Sequence, residues 1–219
     1  MSPQTFCLHT PTITLIFQIA PHMHGAYTIS DFSYKVMDGG KIQLLDCIGQ
    51  GSFGVVFRAR DLTNLCSSLL AVKIIPKDDK VRLYRRELVL HGMVQGHPHI
   101  ASIRKAFSDK YFMYIVLDYC PAGDLWRAIK AKKVFWGNDA LVRNVFLQIV
   151  DAVAFCHEKG VYHRDLKPNN VLISPNNRRV WLTDFGLASM TKESRALGVG
   201  TQQYRSPGGY TVLGLLSSH

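Results

Sequence analysis

Val161-Tyr162-His163-Arg164-Asp165-Leu166-Lys167-Pro168-Asn169-Asn170 is the stretch on which the reading of this chain turns. It sets a carboxylate, Asp165, two residues before the ammonium of Lys167 and five before the amide of Asn170. Fourteen residues past Asn170 comes Asp184-Phe185-Gly186, between an apolar run and a polar loop. An acid able to take a proton, a point charge beside it and two hard oxygen ligands for a small cation point to phosphoryl transfer. The plainer reading of Asp165, a turn or helix-cap aspartate, fits poorly between His163-Arg164 and Lys167-Pro168.

Upstream, Ile42, Leu44 and Leu45 lead into Ile48-Gly49-Gln50-Gly51-Ser52-Phe53-Gly54-Val55-Val56-Phe57. Three glycines spaced G-x-G-x-x-G let backbone N–H groups approach phosphates. Dinucleotide-binding folds share that spacing but follow it with a helix, whereas here β-branched residues continue as a strand. The context predicts a glycine-rich flap between antiparallel strands. Lys73 lies inside the otherwise apolar run Leu69–Ile75. Period two allows it to point to solvent; pointing inward, it requires anionic partners. Residues 79–93 read as a helix whose apolar face is Val81, Leu88, Leu90 and Met93. Glu87 in its middle is a natural partner for Lys73, with a surface i,i+4 role beside the arginines as the alternative.

His97-Pro98 stops that helix, and strands are expected over 100–107 and 111–117. Beyond Asp118 the pattern turns helical, which places a lobe boundary near 119–123. Asp124 caps a short helix to about Lys132, and Asn138 caps a longer one to Lys159, closed by Gly160. Leu141, Val145, Ile149, Val153 and Cys156 form its buried stripe. His157 near its end reads as a dipole-favoured histidine rather than a ligand. Residues 171–173 and 180–182 flank a turn and form a hairpin leading to Asp184.

The sequence has 219 residues, with 26 Lys+Arg against 16 Asp+Glu, a formal charge of +10. The positive residues are scattered in doublets such as Arg85-Arg86 and Arg178-Arg179 rather than gathered in a block, which disfavours nucleic-acid binding. They suit a nucleotide phosphate or an acidic substrate equally well. The five cysteines form no CxxC pair and read as reduced thiols. The apolar patch Ile13–Ala20 is too short for a membrane span and lacks a basic start, so no membrane or secretory role is expected. The expected compartment is the cytoplasm or nucleus.

In order, GQGSFGVV, LAVK, a helical Glu87, HRDLKPNN, DFG and GTQQYRSP (Gly200–Pro207) resemble the eukaryotic protein kinases, serine/threonine type, over residues 42 to 207. The wording of YHRDLKPNNVL and GTQQYRSP is further similar to fungal nutrient- and meiosis-linked kinases. The resemblance implies an α+β, bilobal fold: an antiparallel β upper lobe with one helix over 41–118, and a mainly α, partial lower lobe over 119–207. Residues 1–40 are expected to be a poorly ordered leader, and 208–219 a tail outside the family pattern. It also implies ATP and Mg²⁺, with Ser or Thr hydroxyls of a protein substrate as acceptors, since lysine follows the catalytic aspartate by two residues.

Roles carry over position by position. Asp165 orients the attacking hydroxyl and Lys167 steadies the transferred group. Asn170 and Asp184 hold the metal. Lys73, held by Glu87, meets the phosphates. Ile48, Gly49, Gln50, Gly51, Ser52, Phe53 and Gly54 form the flap. Adenine sits between Val56 and Ala71 above and Leu172 below, with Leu117 as gatekeeper and the backbone of Asp118 and Cys120 at its edge. Asp124 stands at the ribose. Arg164 implies pairing with an activation-loop phosphate, with Ser189, Thr191, Ser194 and Thr201 as candidates; Thr201 alternatively serves structurally near Asp165.

Two departures stand out. His91 occupies a place where the family sets an apolar residue against Phe185, His163 and Ile103. After Pro207 the sequence leaves the family pattern, so about a third of such a domain is expected to be wanting, and with it the cover of the 138–160 helix. The alternative to an active enzyme is therefore a catalytically dead nucleotide-binding or scaffold fragment.

Overall fold

Alternation in two neighbouring runs decides the upper lobe: Val55, Phe57 and Ala59 in one, Leu70, Val72 and Ile74 in the other, all buried. A computed structural model describes residues 27–51, 54–63, 69–77, 81–132, 134–191 and 199–205. In it β1 (Val36–Met37), β2 (Ile42–Gly51), β3 (Gly54–Asp61), β4 (Leu69–Pro76), β5 (Ile103–Ser108) and β6 (Phe112–Asp118) form one antiparallel sheet, ordered β1-β2-β3-β4-β6-β5. The register sets Val56 opposite Lys73 and Lys73 opposite Ile115, and pairs Ala71 with Leu117. Opposed residues share a face, so Val56, Ala71, Lys73, Ile115 and Leu117 look one way and the apolar alternates the other. Lys73 thus points to the inner face.

The outer face packs Leu44, Val55, Phe57, Val72, Ile74, Tyr114 and Val116 into one core. Its cover comes from residues 27–37, which were expected to belong to a poorly ordered leader. Phe32 is 3% exposed and meets Phe112 edge-on at 5.1 Å, and Tyr27 meets the same ring edge-on at 5.0 Å. Residues 27–37 are therefore part of the fold, with Met37 buried and β1 paired to β2. Two aromatics without a periodic neighbour give no strand or helix signal, yet the apolar face of a sheet needs covering. Residues 1–26 and 206–219 lie outside the described residues.

Helix α1 (Val81–Met93) turns Glu87, Leu90 and His91 inward, whereas Met93, expected on its apolar face, is 38% exposed. Below the connector, α2 (Leu125–Lys132), α3 (Asp139–Glu158) and a hairpin of β7 (Val171–Ile173) with β8 (Val180–Leu182) enclose a second core. Asn138 caps α3 through the N–H of Leu141, and Asn144 and Gln148 donate to the Arg178 carbonyl, which seats the helix on the hairpin. Of the expected stripe, Val145 and Cys156 are buried while Leu141, Ile149 and Val153 are partly so. The opposite side of α3 is also apolar: Val142, Phe146, Leu147 and Val150 are 45–62% exposed. By length and composition α3 would suit a membrane span. With Arg143, Asn144, Gln148 and Asp151 along it, it is equally a helix with two apolar sides, each suited to packing.

Candidate active site

Between the lobes lies a cleft of about 830 Å³ lined from both sides. From above come Ile48, Gly49, Gln50, Gly54, Val56, Ala71 and Lys73; from the connector, Leu117, Asp118, Cys120 and Asp124; from below, Asn170, Leu172 and Asp184. Glu87 and His91 close its rear. Gly51 closes the register opposite Gly54, while Ser52 and Phe53 lie outside the described residues. Gly54 has φ +130°, and a Cβ there would run into the Ile74 carbonyl, so the turn needs glycine.

At the rear, Lys73 Nζ donates to Glu87 Oε1 at 2.6 Å and to Asp184 Oδ1 at 3.0 Å. Burial works against the ammonium, but the two carboxylates outweigh it and hold the Lys73 pKa above its ordinary value. Burial likewise pushes on Asp184, but Lys73 prevails and its pKa falls below the usual carboxylate range. Glu87, 4% exposed, is raised by burial, and its Oε2 has no hydrogen-bond partner among the described residues. A single ammonium therefore holds together an upper-lobe helix and a lower-lobe loop.

Asp165 sits beside the cleft in a full set of bonds. Its Oδ1 accepts from the N–H of Thr201 at 2.8 Å and from Thr201 Oγ1 at 2.7 Å. Its Oδ2 accepts from Lys167 Nζ at 2.8 Å and from Asn170 Nδ2 at 3.1 Å. Against burial, the bonds from Lys167 and Thr201 hold its pKa below the ordinary value, so it is ionised at neutral pH. Lys167 Nζ also donates to Thr201 Oγ1 at 2.8 Å. Gly200 makes this approach possible: at φ +88°, a Cβ on it would lie 2.5 Å from the Arg164 carbonyl.

Two non-glycine residues here, Arg164 and Asp184, each have φ 63°, a left-handed backbone that costs about 1–3 kcal/mol and gathers at functional sites. His163 fixes the loop between them. Its Nδ1 accepts from the Asp165 N–H, so Nε2 carries the proton and donates to the Thr183 carbonyl at 3.0 Å. Phe185 lies between rings, 4.8 Å from His163 and 4.6 Å from His91. Burial pushes the His91 pKa down to about 4, so the ring there is neutral. Ile103 packs against Ile75, Met113 and Ile115.

The oxygen donors suit a hard cation. Asn170 Nδ2 is committed to Asp165, which leaves its Oδ1 for a metal, and Asp184 supplies a carboxylate that one ammonium does not saturate. No cluster of three or more His, Cys, Asp or Glu is found among the described residues. Such a site matches Mg²⁺, which takes few protein ligands and the rest from phosphates and water.

At the connector the Cys120 carbonyl accepts from the Gly123 N–H, and the Asp118 carboxylate from Arg104 Nε at 2.5 Å. Asp124 caps α2 through the N–H of Arg127 at 2.8 Å. Arg127, Tyr119, Asn169 and Thr183 also line the cleft and were not singled out by the sequence. For Arg127 a signal existed, since it stands in the first turn of a helix capped by a cleft residue. Of the proposed phosphate acceptors, Ser189 is 1% exposed and engaged with Thr191 and Tyr162. Thr201 is bound to Asp165, Thr191 is exposed, and Ser194 lies outside the described residues. Arg164 Nε donates to the Leu187 carbonyl at 2.8 Å.

The sequence matches the protein kinase domain over residues 42–209. It is 41% identical over 173 residues to a fission yeast protein, the negative regulator of sexual conjugation and meiosis, covering 77% of this chain and 36% of that one. It is 36% identical over 173 residues to the fission yeast serine/threonine-protein kinase ksp1, covering 73% and 36%. To rice CBL-interacting protein kinase 10 it is 33% identical over 170 residues, again covering 73% and 36%. The chain thus spans about a third of the length of these curated relatives.

Proposed function

Because the chain belongs to the protein kinase family, we propose that it transfers the γ-phosphoryl group of ATP to Ser or Thr hydroxyls of a protein substrate. The observation that carries this is the single ammonium of Lys73 held between Glu87 and Asp184. It brings together, across the two lobes, the groups that the chemistry needs in one place. The substrate hydroxyl is positioned by Asp165. As its oxygen bonds to the γ-phosphorus, the bond to the β–γ bridging oxygen breaks, ADP leaves, and the hydroxyl proton passes to Asp165. The lowered Asp165 pKa makes it an orienting acceptor rather than a strong base. Lys167, anchored by Asp165 and Thr201, supplies positive charge to the moving group. Asn170 and Asp184 would hold Mg²⁺, which when bound neutralises phosphate charge. Free Cys47, Cys120 and Cys156 fit a reducing compartment, cytoplasm or nucleus.

A second reading, nucleotide binding without turnover, is favoured by the exposed apolar side of α3. The two separate experimentally. The 219-residue chain is titrated with ATP and Mg²⁺ in a thermal-shift assay, and phosphate incorporation into a Ser/Thr-rich basic protein is followed beside it. The kinase reading expects a shift and incorporation, with the latter abolished by Asp165→Asn while the shift remains. A shift without incorporation selects the second reading; equal incorporation by wild type and mutant refutes the role of Asp165.

A further inference from the structure

His91 is 3% exposed on the inner face of α1 and makes a bond that no apolar side chain could make. We infer that His91 is a positioning residue: through the Ala101 carbonyl it fastens helix α1, and with it Glu87, to the strand that leads into Asp184. Glu87 and His91 are four residues apart on α1 and share its inner face. His91 Nε2 lies 2.7 Å from the Ala101 carbonyl oxygen, and since a carbonyl only accepts, that nitrogen carries the proton. The Ala101 N–H donates to the Leu182 carbonyl at 2.9 Å, and the Leu182 N–H to the His99 carbonyl at 2.8 Å. Leu182 ends β8, two residues before Asp184. The same imidazole lies on the ring of Phe185, 4.6 Å away, so it touches the segment after Asp184 as well.

A leucine would keep the contact with Phe185 and lose the bond to Ala101. In that case Lys73 and apolar packing, including Leu90 and Val94 in the lower core, would hold Glu87 toward Asp184, with no polar bond from the helix face to the Ala101 strand. With His91 in place the helix is already seated before any ligand reaches Lys73, which is preorganisation of the rear wall. This role matters for catalysis only on the kinase reading, but the fastening itself does not depend on that reading.

The test uses the full chain as wild type, His91→Leu and His91→Gln, the amide of glutamine reaching about as far as the imidazole Nε2. Amide hydrogen exchange is read over residues 85–93 and 100–103, and the Kd of a fluorescent ATP analogue is measured with Mg²⁺. Loss of one neutral buried hydrogen bond is expected to speed exchange and weaken the analogue about fivefold in His91→Leu. His91→Gln, which can still donate to Ala101, should restore both, whereas a role limited to filling space would be rescued by leucine and not by glutamine. Unchanged exchange and Kd in His91→Leu, or His91→Gln behaving like His91→Leu, would overturn the inference. Should His91→Leu not fold, His91→Asn, whose shorter amide falls short of Ala101, replaces it. If wild type binds no nucleotide, the kinase reading falls and the exchange data alone decide the fastening.

Discussion

Replacing Lys73 with methionine keeps the length of the side chain and removes the charge that two carboxylates share. Glu87, 4% exposed, is then left as an uncompensated buried anion; Asp184, 35% exposed, is screened by solvent and suffers less. Breaking a buried pair from one side costs about 3–5 kcal/mol. The more discriminating quantity is how that cost varies with pH. Without Lys73, burial and then the Asp184 charge act on Glu87 unopposed, and its pKa climbs further above the ordinary carboxylate value. Between the unfolded and folded values the native state holds the extra proton, so stability falls as pH rises. The gap between mutant and wild type should therefore widen with pH, by about 1.4 kcal/mol per unit until Glu87 is ionised in both states. His91, depressed to about 4 chiefly by burial, makes both proteins lose stability as pH drops below 6.5; Lys73 is a smaller cause of that depression, so the comparison between pH 6.5 and 8 carries the test. Urea denaturation followed by tryptophan fluorescence at pH 5.5, 6.5 and 8 measures the gap. A gap that does not depend on pH, or Lys73→Met as stable as wild type at pH 8, would refute the reasoning.

Gly200→Ala should press on the Arg164 carbonyl and lift Thr201 away from Asp165, lowering kcat at least tenfold with the Kd for ATP within about twofold. Steady-state kinetics and nucleotide titration separate the two. Phe32→Ala should cost about 3–5 kcal/mol of stability while leaving nucleotide affinity unchanged, because the ring covers the face of the sheet opposite the cleft. A denaturation curve beside an ATP titration checks it. Phe146→Gln, on the exposed side of α3, should leave stability within about 0.5 kcal/mol and reduce binding of a hydrophobic dye.

The charged residues that the structure brings together at the cleft are legible in the sequence, because each sits in a short run whose spacing carries the chemistry. What these runs did not disclose lies in contacts between them. The direction of Lys73 was open because both faces of β4 are apolar, and only the pairing with Val56 and Ile115 settles it. Thr201 closing on Asp165 across 36 residues has no periodicity to announce it, although the structural reading of Thr201 anticipated the neighbourhood. The cover supplied by Tyr27 and Phe32 escaped because two aromatics in an irregular segment look like linker until the surface they cover is known. The position of His91 was legible, but its bond to Ala101 was not, since it depends on where the loop after α1 returns.

The cluster around Lys73 and Asp165 also has a kinetic consequence. Glu87, Asp165 and Asp184 set three negative charges against the two positive ones of Lys73 and Lys167, so the site itself is slightly anionic while the sequence as a whole carries +10. The long-range field draws a polyanion inward, and the last few ångströms favour one that arrives with its own cation. Capture is then governed by the whole chain and slows as salt shortens the Debye length, whereas residence is governed by a few buried groups that salt hardly reaches.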